Sequence, residues 1–78
     1  MDDYDLAVDF MDMTNDRRLW TLLEDAGPGF VPIAGRHVIV DQDAVLAVAR
    51  IVSVNAEGHI ELEVLPGSVD SHRDLLPT

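Results

Sequence analysis

The chain has 78 residues, with 15 acidic side chains against five arginines and no lysine, which gives a net charge of −10. A surface of this sign repels nucleic-acid phosphates and anionic lipid headgroups, so the composition argues against a nucleic-acid or membrane partner. The absence of lysine also excludes Schiff-base chemistry and phosphate-loop chemistry, which both need that side chain.

The length predicts one domain over residues 1–78, and a hydrophobic fraction of 47% is sufficient for a packed core. Because the chain has no cysteine, that core must hold the domain together without disulfides or a zinc ribbon. The start, Met-Asp-Asp-Tyr-Asp, is too acidic for a secretory signal, and no apolar run reaches the length of a membrane span. We therefore expect a cytoplasmic protein.

Residues 4–10 alternate between apolar and mostly acidic positions, which is the period of a half-buried strand. The apolar phase is Tyr4, Leu6, Val8 and Phe10. The opposite phase carries Asp3, Asp5 and Asp9, which predicts an exposed acidic stripe. The pattern breaks at residues 11–13, where we expect a bulge, the end of the strand or a surface covered by another element. Residues 14–16 have the composition of a turn.

Two interpretations are open for residues 17–26. Leucines and an alanine at helical spacing indicate a helix, whereas Trp20 and Leu22, which follow a turn, suit the return strand of a hairpin. The strand is favoured because the first strand needs a partner. Gly27-Pro28-Gly29 ends the element in either case.

Three β-rich segments follow, at residues 37–40, 46–54 and 60–64. The tripeptide at residues 41–43 is interpreted as a turn. The last two strands are joined by residues 55–58, where Gly58 can take the positive φ that closes a hairpin. After residues 65–67, Ser68 or Ser71 can cap one short helical turn at residues 72–76.

The order of these segments resembles the central meander of SH3-like barrels. It begins at Gly35, a glycine that opens a strand, and continues through a long strand at residues 47–52 to the glycine turn at Gly58 and the strand at residues 60–64. KOW and Tudor-type modules belong to that superfold. The resemblance covers roughly half of the chain and implies fold rather than function. It implies an all-β protein, a small SH3-like antiparallel barrel of about five strands with at most a short C-terminal helical turn.

The sequence predicts no catalytic, metal or cofactor site, and we expect a protein that is not an enzyme. The three histidines lack the spacing of metal ligands, and residues 41–43 lack the glycine and glutamate that follow in a calcium loop. None of the serines lies in a nucleophile elbow.

The candidate partner-binding residues are Asp3, Asp5, Asp9 and Trp20. The acids either keep an edge strand soluble or dock a basic partner. Trp20 either closes one end of the core or, if it is exposed beside Leu22 and a methionine, marks an interface. A surplus of apolar residues favours a homodimer, and its members are Met11, Met13, Leu65, Leu75 and Leu76.

Together these features predict a non-catalytic protein-interaction module or accessory subunit, whose partner is a basic protein surface or a second copy of the chain. Two alternatives stay open. One is a nucleic-acid-binding SH3-like barrel, which a contiguous basic groove of Arg36, Arg50 and Arg73 would favour. The other is an acidic inhibitor that mimics nucleic-acid phosphates and binds a basic protein.

Overall fold

The computed structural model describes residues 4–26 and 29–76, and within them the chain forms five β-strands and three short 3-10 helices. The strands are β1 (Leu6–Ala7), β2 (Arg18–Leu22), β3 (His37–Gln42), β4 (Val45–Val54) and β5 (His59–Val64). The 3-10 helices are Phe10–Asp12, Leu23–Asp25 and Asp70–Leu75. Over the same residues, no helix has the length and apolar character needed to cross a membrane.

All five strands belong to one sheet in the order β1-β3-β4-β5-β2. The strands β3, β4 and β5 form an antiparallel meander, and β2 adds to β5 in antiparallel orientation. In contrast, β1 runs parallel to β3, with Leu6 opposite Val40. The prediction of a β-rich fold of about five strands is confirmed, but the prediction of a purely antiparallel barrel is wrong, because the first strand pairs in parallel.

The sheet is open and curled, and its two edges come close to each other. Leu6 forms an isolated antiparallel bridge with Ala26, just beyond the end of β2. The hydroxyl of Thr21 donates a hydrogen bond to the carbonyl oxygen of Ala7 over 2.9 Å. Single contacts thus hold the edges together in the described part of the chain, whereas a closed barrel would have a backbone ladder there.

The core lies inside the curl and follows the pleat of the strands. Alternate residues of β2, β3 and β5 point inward, and burying each large apolar side chain contributes about 1.5–3 kcal/mol. A register shift between Ile51 and Ser53 marks a bulge that bends the ten-residue β4. The buried cluster consists of Leu6, Leu19, Val38, Val40, Ala49, Ile51, Ile60, Leu62 and Val64.

The predicted first strand over residues 4–10 is wrong beyond β1, because the chain leaves the sheet at Val8. Asp9 caps the 3-10 helix Phe10–Asp12 by accepting the Met11 N–H at 2.9 Å, and Gln42 Oε1 accepts the Phe10 N–H at 2.7 Å. These two bonds satisfy backbone donors that a strand would have paired with a neighbouring strand. No bulge forms at residues 11–13.

The strand interpretation of residues 17–26 is confirmed for β2, although its partner is β5 and not the N-terminal segment. The predicted glycine turn is also confirmed, with Gly58 at φ +86°. The turn after β3 lies at Asp43 and Ala44, which both have positive φ. Residues 41 and 42, which were interpreted as part of this turn, belong to β3. The predicted C-terminal turn is present at Asp70–Leu75.

Candidate protein-interaction site

Trp20 lies on the outer face of the sheet. Its neighbours Leu19 and Thr21 are buried, so the pleat of β2 directs the indole away from the core, on the face where Glu61 of β5 lies opposite. The side chain is 53% exposed. Trp20 therefore does not close one end of the core but lies exposed on the surface. Leu22 lies on the same face of the strand, two residues further on.

Trp20 and Leu22 line two adjoining depressions of the surface. The smaller one, of about 230 Å³, also contains His59. The larger one, of about 380 Å³, lies between β2 and the N-terminal segment. We call the larger one the Trp20 groove, and its walls are Ala7, Val8, Asp9 and Asp12 on one side and Trp20 and Leu22 on the other.

The walls of the Trp20 groove are held by specific contacts. The hydrogen bond from Thr21 to the Ala7 carbonyl joins the two sides. Asp9 is fixed through Oδ1, which accepts from the backbone of Met11 and, over 3.3 Å, from Nε2 of Gln42. These bonds fix the position of the Asp9 carboxylate on the groove wall.

The four candidate residues are placed differently. Asp3 lies outside the described residues. Asp5 is half-buried, and its Oδ2 accepts the Ile39 N–H at 3.0 Å, so its carboxylate attaches the N-terminal segment to β3. Asp9 and Trp20 both line the Trp20 groove. Among the described residues the acids thus form no stripe along one strand, and two of the candidates meet at one site.

The sequence pattern missed Asp12. A strand running to Phe10 would have left this residue in a loop with no assigned direction, whereas the 3-10 helix turns it toward β2 and into the groove wall. Within the described ranges, neither Asp9 nor Asp12 forms an ion pair.

Most of the positive charge of the chain is engaged elsewhere. Four of the five arginines bind internal acceptors, namely Arg17 the Val64 carbonyl (2.8 Å), Arg18 Glu61 (3.5 Å), Arg50 Glu63 (3.2 Å) and Arg73 Asp70 (2.7 Å). Two arginines of the hypothetical basic groove are therefore paired with carboxylates. The Thr14 hydroxyl donates to Asp16 and, with a smaller contribution from Arg18, lowers the pKa of that carboxyl.

A further depression of about 510 Å³ lies where the C-terminal segment crosses β3 and β4, and Ile39, Leu46 and Val69 line it. Its charged residues, Asp70 and Arg73, form an ion pair with each other, so this surface presents no uncompensated charge. Over residues 4–26 and 29–76, no group of three or more histidine and acidic side chains is arranged to hold a metal ion.

No protein-family model, curated protein or solved structure matches the chain. The fold and the site together define a small β-rich domain with an exposed aromatic groove. The carboxylates on the wall of that groove have no cation from the described residues beside them.

Proposed function

We propose that the chain is a non-catalytic protein-interaction module and that the Trp20 groove is its docking site. The observation that carries this proposal is the half-exposed position of Trp20 between two depressions. Tryptophan is the residue type most enriched among interface hot spots, and keeping its large apolar surface in water is unfavourable for the isolated domain.

The charge distribution indicates the kind of partner. The net charge is −10, and among the described residues neither Asp9 nor Asp12 on the groove wall forms an ion pair. A basic protein surface is complementary to this potential, and the attraction would accelerate association. Two copies of the chain would repel each other at this groove, which disfavours it as the seat of a homodimer.

The alternatives from the sequence are less well supported. A nucleic-acid site would need arginines that are free to contact phosphates, yet Arg50 and Arg73 are engaged by Glu63 and Asp70. A phosphate mimic would need carboxylates at regular spacing over one face, whereas Asp5 and Asp9 are used to anchor and cap the N-terminal segment.

We also propose that the fold is related to the SH3-like superfold, whose central meander β3-β4-β5 resembles. The open mixed sheet departs from that superfold. The proposal also includes the cytoplasm as the compartment. Neither affects how the groove is tested.

The test is a selection of random displayed 12-residue peptides on the immobilised chain, followed by affinity measurements on Trp20→Ala and on Val31→Ala. Val31 is a matched control because it is also exposed and apolar but does not line the groove. We expect enriched peptides with net positive charge whose affinity falls on the order of 30-fold in Trp20→Ala, as for a 2 kcal/mol hot spot, and stays unchanged in Val31→Ala. Selected peptides that bind Trp20→Ala as well as the wild type would refute the proposal.

A further inference from the structure

We infer that the Trp20 groove accepts an arginine side chain of the partner, with the guanidinium stacked on the Trp20 indole and its N–H groups directed at the carboxylates of Asp9 and Asp12. This inference rests on the proposed function and names the side chain that the site recognises. It follows from two properties of the groove, which are its aromatic wall and its acidic wall.

The aromatic wall is the exposed part of the Trp20 indole. An indole face attracts a cation through its quadrupole, and the attraction is worth more where the cation is partly desolvated. A groove provides that desolvation on one side, since Ala7 and Val8 form an apolar stretch opposite the ring. The aliphatic stem of a long basic side chain can pack on these residues while the charged end stays polar.

The carboxylates of the acidic wall, Asp9 and Asp12, can accept further hydrogen bonds. Asp9 uses Oδ1 for the Met11 N–H and Gln42 Nε2, and these bonds hold the carboxylate in place. The side chain of Asp12 forms no hydrogen bond or ion pair with the described residues. A groove lined by two carboxylates and an aromatic ring suits a cation with several donors in one plane. Guanidinium has five donors and stacks as a plane, whereas the ammonium of lysine is compact and strongly hydrated.

The chain itself does not supply this cation from its described residues. Four arginines bind internal acceptors, and Arg36 does not line the groove. A second copy could offer its Arg36, but two chains of charge −10 would then have to approach each other. A basic segment of a different protein meets no such repulsion, and we therefore assign the groove to it.

The test uses NMR titration, because the chain has a single tryptophan and its indole N–H gives one resolved signal at the site. The probe is the capped peptide Gly-Ser-Arg-Ser-Gly, compared with the same peptide carrying citrulline, which is a neutral isostere of arginine, or lysine. We expect the arginine peptide to shift the Trp20 signal in a saturable way. The citrulline peptide should bind at least about tenfold more weakly, and the lysine peptide should lie between them.

Two double variants separate the groove from the general charge of the chain. Asp9→Asn with Asp12→Asn removes the carboxylates of the wall while asparagine preserves the cap of the 3-10 helix. Asp43→Asn with Asp74→Asn removes the same number of charges from exposed positions outside the groove. We expect affinity for the arginine peptide to fall about fivefold in the first variant, as for two partly exposed ion pairs, and less than twofold in the second.

Equal losses in the two variants would mean attraction by net charge alone and would overturn the assignment. If the displayed selection yields peptides that need Trp20 but the arginine and citrulline peptides bind alike, the arginine inference fails and the interaction module survives. If neither experiment shows dependence on Trp20, both proposals fail. Sedimentation at the concentrations of the titration checks for a second copy, and a dimer lost in Arg36→Ala would overturn the assignment to a different protein.

Discussion

The two hairpin loops carry exposed alanines in opposite backbone conformations. Ala44 lies in the two-residue loop between β3 and β4 with φ +70°, and the preceding Asp43 has φ +51°. Ala56 lies in the loop between β4 and β5, and its φ is not positive. The left-handed region costs an L-residue with a Cβ about 1–2 kcal/mol, whereas glycine adopts it freely.

We expect Ala44→Gly to stabilise the protein and Ala56→Gly to destabilise it. At both sites glycine increases the entropy of the unfolded chain, which lowers stability by about 0.4–1 kcal/mol. Only at Ala44 does it also remove the left-handed penalty, so the net gain there is about 0.5–1 kcal/mol. For a domain of this size 1 kcal/mol shifts Tm by about 4–8 °C, and Ala44→Gly should therefore raise Tm by roughly 2–8 °C.

The measurement is urea unfolding followed by far-ultraviolet circular dichroism, with thermal unfolding as a second readout. The slope of free energy against urea should be the same in the wild type and both variants, because neither substitution changes the surface exposed on unfolding by much. The two midpoints should move in opposite directions, with a difference in unfolding free energy of about 1–2 kcal/mol between the variants. An Ala44→Gly midpoint at or below that of the wild type would contradict the assigned backbone conformation.

Three further predictions concern the contact between the two sheet edges, the hairpin between β4 and β5, and the charge of the surface. Thr21→Val deprives the Ala7 carbonyl of its hydroxyl donor and should lower the unfolding free energy by about 1–3 kcal/mol in urea titration, and a variant as stable as the wild type would show that the bond is unimportant. Gly58→Ala should cost about 0.5–1 kcal/mol in thermal unfolding, because the penalty for a Cβ at φ +86° exceeds the gain from a less flexible unfolded chain. A methyl group meets only ordinary contacts there, so an unchanged Tm would argue against the positive φ. Thr14→Val should raise the pKa of Asp16 toward its ordinary value in a carbon-13 titration of the carboxyl group, since the Thr14 hydrogen bond is the largest cause of the lowered pKa. A carboxyl whose pKa is lowered in the folded state stabilises the protein above its unfolded pKa, and this contribution is lost as pH falls through the folded pKa. The wild type should therefore lose the contribution below roughly pH 4, and the variant should keep only the part due to the backbone hydrogen bonds and Arg18. Identical titration curves would count against the bond.

The sequence predicted the second half of the fold well because its patterns are local. The alternation in β5 and the glycine turn before it depend on neighbouring residues, and Gly58 has the conformation that its position required. In both, side chains a few residues apart determine the structure. The strand character of β2 was also predicted, but on the expectation that it pairs with the first strand, whereas its partner is β5.

The N-terminal segment could not be predicted in the same way, because its structure depends on residues more than thirty positions away. The alternation of residues 4–10 is real, but Gln42 binds the backbone of Phe10 and Asp5 binds the backbone of Ile39. These distant partners convert a predicted seven-residue strand into two strand residues and a 3-10 helix. The groove wall that contains Asp12 is a product of the same contacts, and for that reason the sequence indicated only Asp9 and Trp20 of the site.

The parallel pairing of β1 with β3 has a consequence for the order in which the protein folds. The hairpins of the meander close over two and four residues, whereas Leu6 and its partner Val40 are 34 positions apart in the chain. Closing a loop over such a separation lowers the entropy of the chain, and this loss must be offset by other contacts. We therefore expect the meander to form the folding nucleus, so that substitutions in β4 slow folding while Leu6→Ala mainly accelerates unfolding in stopped-flow measurements. On this basis we expect the Trp20 groove, which lies between β2 and the N-terminal segment, to form after the meander.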